Sequence, residues 1–168
     1  MQPVYAAGRQ LPKVRLLMWA SVVALVVCAW QGYELSQTYG LREADGGQLA
    51  SLAVRFAWGL GVAALGLGAF IGMWMYGSRY VAAIRMDDAG SRVEIDTLGF
   101  FGARTMRVPA STVHLGRFHE GRLRTARVTV NAPWTALRVD GLRRRLIVDA
   151  QGLFVESDFP ARLRKAAR

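Results

Sequence analysis

Side chains able to carry chemistry are few and scattered in this chain. His114 and His119 stand five residues apart in a strand-like segment, so a regular strand sends them to opposite faces. No third nitrogen, sulfur or carboxylate ligand follows at a convincing interval. The only cysteine, Cys28, lies inside an apolar run, which leaves no disulfide within the chain and no thiolate cluster. Asp87-Asp88 reads as a turn pair rather than a catalytic dyad, since neither apolar burial nor a partner can be argued for it. Ser111-Thr112, following Pro109, reads as a turn or a helix start. There is no phosphate-cradling glycine loop, nucleophile elbow or dinucleotide fingerprint. The apolar segments lack the paired acids or histidines of a proton path or a haem site. Enzyme, pump and electron carrier are disfavoured, and no catalytic, cofactor or metal site is expected.

Charge is the stronger signal. The formal net charge is +10, and Lys13 and Lys165 are the only lysines. Arginine grips phosphates and carboxylates bidentately and tolerates interfaces better than lysine does. From Arg79 onward sixteen arginines and one lysine face nine acids, a surplus of eight. If Asp140-Gly141 is a two-residue hairpin turn, Arg138 opposes Arg143, and Arg145 opposes Ala136 on the same face. Like charges directly opposite are destabilising, and Asp149 can neutralise at most one of them. Arg138, Arg143, Arg144 and Arg145 are therefore expected to meet carboxylates or lipid phosphates from outside the domain. Phe100 and Phe101, bounded by Gly99 and Gly102, are large apolar groups on a turn. They are candidates to enter the bilayer, contact another subunit or fold back on the core.

Two apolar runs must position these residues. Residues 56–76 carry no charge over a length that, at about 1.5 Å per residue, crosses a hydrocarbon core of about 30 Å. Ala53, Ala57 and Gly61 recur at intervals of four, as do Ala64, Gly68 and Gly72. Small residues at that spacing let another backbone approach in lipid, so Gly61, Gly68 and Gly72 are expected to pack the hairpin or a partner. The bland alternative is that membrane helices are simply richer in glycine. Residues 16–35 form a run longer than a signal-peptide core and are expected as a retained helix. A short polar link makes the two helices an antiparallel hairpin, with Arg55 near enough to its boundary to snorkel outward. Basic residues flank the outer ends of the pair, whereas the link holds Arg42 beside Glu43 and Asp45. The positive-inside rule then places both termini in the cytoplasm.

Beyond Tyr80 the period changes to alternation. Val93, Ile95 and Thr97 occupy one face of a strand, with Arg92, Glu94 and Asp96 on the other. Turns at 87–90, 99–102, 120–121, 140–141 and 151–152 separate runs of strand length. The expected fold class is an α+β membrane protein, a transmembrane hairpin followed by a small antiparallel β barrel or sandwich. The expected organisation is a basic tail over 1–15, a hairpin over 16–78 with helices at about 16–35 and 52–77, and a cytoplasmic β domain over 79–168. A short basic helix is expected after Pro160.

Four stretches carry a resemblance: Arg79-Tyr80-Val81, V-E-I-D-T-L-G-F-F-G at 93–102, Val108-Pro109, and L-I-V-D-A-Q-G-L-F at 146–154. With them the chain resembles a family of two-pass inner-membrane assembly factors of mitochondria, in which a helical hairpin precedes a C-terminal β domain. The resemblance implies a role in building respiratory complexes and brings no catalytic residues. The domain is also similar to membrane-tethered pleckstrin-homology-like modules of bacteria, some of which serve photosynthetic complexes. No mitochondrial targeting region is evident, so the bacterial inner membrane is the expected home in preference to the mitochondrial one. The expected function is a non-catalytic accessory or assembly subunit of an energy-transducing complex, respiratory or photosynthetic. Its expected partners are integral membrane subunits and anionic lipids. The alternative is a membrane-tethered module that binds anionic lipid or regulates. Nucleic acid is disfavoured, because an aromatic stacking platform for single strands is lacking.

Overall fold

The structure is a computed structural model that describes residues 1–41, 46–124 and 129–154, with 122–124 and 129–131 described by backbone alone. It divides into a helical unit, Leu16–Met75, and a β unit made of Met1–Arg15 with the chain from Tyr76 onward.

Helix α1 spans Gln10–Thr38 and α2 spans Leu52–Arg79. Both are long and apolar enough to cross a membrane, and only 17% and 11% of their most apolar windows are buried. That low burial argues against core helices of a soluble protein, which hide such surface. Hydroxyls inside the apolar segment are satisfied locally. Ser21 Oγ donates to the Met18 carbonyl and Ser36 Oγ to the Tyr33 carbonyl, both at 2.6 Å. Within the helical unit the backbones touch through glycine. A side chain at Gly32 would stand 2.5 Å from the Gly59 carbonyl oxygen, and one at Gly59 would stand 2.5 Å from that of Gly32. A side chain at Gly66 would meet the Cys28 Cβ at 2.6 Å, so Cys28 packs inside the hairpin. Arg55 closes it, donating from Nη1 to the Ser36 and Gln37 carbonyls at 3.2 and 3.4 Å. Those carbonyls belong to the last turn of α1, where intrahelical partners run out. Arg55 is thus committed to the helix end rather than simply snorkelling outward.

The β unit contains a five-stranded antiparallel sheet in the order β10-β1-β2-β3-β4. Its strands are β1 Gln2–Ala6, β2 Val81–Met86, β3 Arg92–Leu98, β4 Ala103–Pro109 and β10 Leu153–Phe154. A second sheet, in the order β5-β8-β9, uses β5 Val113–His119, β8 Trp134–Val139 and β9 Leu146–Asp149. A ribbon pairs β6 Arg122–Arg124 with β7 Thr129–Asn131. The sheets do not close into a barrel, and the arrangement is sandwich-like. Buried Ile84, Val93 and Ile95 from the first sheet, and Leu137, Leu146 and Val148 from the second, supply the core. Val93, Ile95 and Thr97 are buried as expected, but Glu94 and Asp96 are buried as well, so β3 is covered on both faces rather than half-buried.

The opening residues depart from expectation. Gln2–Ala6 is a strand between β2 and β10 rather than a tail, and Val4, Tyr5 and Ala7 are buried. The pairing with β2 slips between Pro3 and Tyr5. Such a bulge re-aims side chains, and here adjacent Val4 and Tyr5 are both buried. A five-residue strand leaves little periodicity to read, so the sequence of 1–15 does not distinguish it from a tail. The basic ending after Pro160, expected as a helix, lies outside the described residues, as do Arg42, Glu43 and Asp45 of the link.

Candidate functional site: interaction surfaces

Three surfaces hold the residues singled out by sequence. The first is on α2. Gly61, Gly68 and Gly72 have open space where a side chain would be, and Ala53, Ala57 and Ala64 are exposed as well. At about 100° per residue these six positions fall within roughly 100° of arc, and Gly59 and Gly66 lie roughly 180° around the helix. The two predicted stripes therefore form one smooth face turned away from α1, and the hairpin is packed by Gly32, Gly59 and Gly66 instead. The seven-residue spacing of Gly59 and Gly66 was the available signal, hidden among the neighbouring glycines.

The second surface surrounds the β8–β9 connection. Val139 accepts from the Leu142 N–H at 3.0 Å, and Gly141 has φ +83°, so the turn at Asp140-Gly141 is present. The ladder is not the one expected. Leu137 pairs with Leu146 and Trp134 with Asp149, a register two residues longer than a two-residue hairpin allows. Residues 143–145 are spent on an irregular connection, and Arg138 does not face Arg143. Arg138 pairs with His114 across β5. Asp140 serves both, at 3.0 Å from His114 Nε2 and 3.8 Å from Arg138 Nε, and Asp149 neutralises neither. The crowding argument for these arginines therefore falls, although Arg138, Arg143 and Arg145 remain exposed and Arg144 half-buried. The third surface is the tip of the β3–β4 hairpin, closed by Gly99 N–H donating to the Gly102 carbonyl at 2.8 Å. Phe101 there is 95% exposed, and Phe100 is half-buried.

The histidines do not point to opposite faces. A slip between Leu115 and Phe118 lets His114 oppose Arg138 while His119 opposes Trp134, so the bulge brings both to one face. His119 stacks on the Trp134 indole at 4.2 Å. Among the described residues no group of three or more His, Cys, Asp or Glu could hold a metal. Asp87 is a turn residue, accepting from Arg92 N–H at 3.0 Å and Ser91 Oγ at 2.6 Å. The Arg92 amide beside it holds its carboxyl below the usual carboxylate range. Ser111-Thr112 belongs to a single 3-10 turn, Ala110–Thr112.

Sequence reasoning missed two constellations. Glu94 and Asp96 are almost buried on the side of β3 opposite Val93 and Ile95. Arg85 bridges both, at 2.7 Å from Glu94 Oε1 and 2.8 Å from Asp96 Oδ2, and Arg107 reaches Glu94 Oε2 at 2.9 Å. Direct pairing of Glu94 with Arg85 on β2 and Arg107 on β4 makes a charge ladder across three strands. Arg107 first and Arg85 second hold the Glu94 carboxyl below its ordinary range. The second constellation gathers tyrosines around Asp149. The Tyr5 hydroxyl donates to the Asp149 carbonyl and accepts from the Asp149 N–H, both at 3.1 Å, and Tyr80 donates to Oδ2 at 3.2 Å. Burial, then the Asp149 charge, pushes both phenols up beyond the ordinary tyrosine range.

A hairpin of two helices long and apolar enough to cross a membrane, inserted between the first strand and the remainder of a β unit, defines an α+β protein whose β unit is assembled from both sides of the hairpin. The model of the TMEM70/TMEM186/TMEM223 protein family matches residues 12–159, and the chain belongs to that family. It is a family of mitochondrial inner-membrane assembly factors, non-catalytic in character. No curated protein gives a significant match to the chain.

Proposed function

We propose that the chain is a non-catalytic accessory or assembly factor for a multi-subunit, energy-transducing membrane complex of the respiratory type. Family membership supports the assembly role, and the free small-residue face of α2 carries the mode of action. Gly61, Gly68 and Gly72 are not consumed by the hairpin, and a helix smoothed on its outer side offers close backbone approach to a membrane-embedded subunit. The basic β unit lies on the inner side of a bacterial inner membrane, as the positive-inside rule directs. Exposed Arg143 and Arg145, with half-buried Arg144, meet lipid phosphates or acidic partner groups, while Arg138 already has Asp140 beside it. A tethered anionic-lipid module is the second reading, favoured by Phe101 standing almost fully exposed on a hairpin tip.

Replacing both Gly68 and Gly72 with leucine tests the first reading. Membrane subunits that co-purify in mild detergent are expected to be lost from the variant, while the melting temperature of the isolated chain holds. Unchanged co-purification would remove α2 as the docking face. Retention on anionic vesicles alone, with no co-purifying subunit from either protein, would favour the lipid module.

A further inference from the structure

The β unit contains a pocket of about 250 Å³ lined by Tyr76, Tyr80, Trp134, Ile147 and Asp149, with Gly121, Ala132 and Pro133 at its margin. That is smaller than the roughly 300–1,000 Å³ of drug-sized sites, so it suits a small chemical group. Its chemistry follows from register. Trp134 on β8 and Asp149 on β9 are direct partners, and His119 on β5 is the partner of Trp134 on the other side. Partners in an antiparallel ladder project to one face, which sets indole and carboxylate side by side. The His119 stack covers one face of the indole and leaves its other face and its edge for the pocket. Tyr76 adds a second accessible ring, and Tyr80, itself buried, lies 5.8 Å from it between centroids. Among the described residues the Asp149 carboxylate accepts from neutral donors, Tyr80 Oη on Oδ2 at 3.2 Å and Gln151 N–H on Oδ1 at 2.8 Å. It makes no ion pair among the described residues, in a unit where basic residues exceed acidic ones.

The Trp134 and Tyr76 rings and a carboxylate with no base beside it among the described residues form a cage for an organic cation, because ring quadrupoles attract ammonium groups and the carboxylate supplies the counter-charge. We propose that this pocket binds the ammonium of a zwitterionic phospholipid headgroup, ethanolamine or choline. The lipid source is favoured by position in the chain. Tyr76 lies in α2 four residues before Tyr80, at the end of an apolar helix long enough to span a bilayer, and aromatic side chains there sit at headgroup level. A headgroup held by its ammonium presents its phosphate to a domain rich in arginine. The site is independent of any assembly role.

The test uses the full chain in maltoside micelles, titrated calorimetrically with dihexanoyl phosphatidylethanolamine, phosphatidylcholine and phosphatidylglycerol, with empty-micelle heats subtracted. Saturable 1:1 binding of a zwitterionic lipid, at least about tenfold tighter than phosphatidylglycerol, is expected. Asp149→Asn, which retains an acceptor for Tyr80, and Ala132→Phe, which crowds the margin without touching the carboxylate, should each weaken it about tenfold. If Asp149→Asn fails to fold, Ala132→Phe decides. Equal affinity for phosphatidylglycerol, or binding unchanged in the folded variants, would overturn the site. Tighter binding of free phosphoethanolamine than of the lipid would overturn the lipid source. Tighter binding of N-acetyl-lysine methylamide would assign the pocket to a partner protein's side chain and overturn it likewise.

Discussion

Glu94 shows how a charged residue survives near a sheet core. Its two oxygens each receive a guanidinium, Arg85 from β2 and Arg107 from β4, so burial of the carboxylate is offset by paired, charge-assisted hydrogen bonds. Those partners depress its folded pKa, and the sign of the pH dependence follows. The stabilisation is fully present above the ordinary carboxylate range and is lost as pH falls through the lower folded value. Thermal unfolding of the wild-type chain in detergent should therefore decline on acidification through that acidic window. Glu94→Gln should be less stable at neutral pH and show a flatter acid limb, and a variant profile parallel to wild type would remove Glu94 as the titrating group. The acidic row of Glu94 and Asp96 was open to inspection in the sequence as alternation around Val93 and Ile95. Which arginines would reach the acids was not, since that depends on which strands lie on either side of β3.

At the scale of elements, α2 has two glycine faces with different uses. Gly59 and Gly66 are spent on α1, and Gly61, Gly68 and Gly72 are free. Substituting leucine at Gly59 forces the two backbones apart and should cost about 1–3 kcal/mol, as overpacking of a close contact does. Leucine at Gly61 meets open space and should leave the melting temperature nearly unchanged. Comparing the two single variants by thermal unfolding checks this, and equal effects would mean that the hairpin packs on another face. Hydropathy and length made both helices legible, because lipid demands a continuous apolar run. The choice of packing glycine was not legible, because spacings of four and seven residues both place small residues along one helix face and only the partner's contour selects between them.

For the whole molecule, the pairing of β1 with β2 and β10 has a topological consequence. The segments before α1 and after α2 share one sheet, so both must lie on the same side of any membrane the hairpin crosses. With Cys28 first replaced by serine, a cysteine at Ala89 and one at Gln48 should label from opposite sides of sealed vesicles. Labelling of both from one side would show that the hairpin does not span.

What the sequence by itself determined was set by local physics. Uncharged runs of span length, alternation about Val93 and Ile95, and turn residues at Asp87–Gly90 and Asp140-Gly141 each act through a few neighbouring residues; the helices, the strand and the turns are all present, although β3 is buried on both faces. What only the tertiary structure decided rests on non-local pairing. Gln2–Ala6 is a strand because β2 and β10 stand on either side of it. His114 and His119 share a face because β5 slips against β8. Arg138 meets Asp140 instead of Arg143 because the β8–β9 ladder begins only at Leu146. A shift of one or two residues in register costs little in local propensity but moves side chains to new faces and new partners, so these assignments needed the assembled sheet.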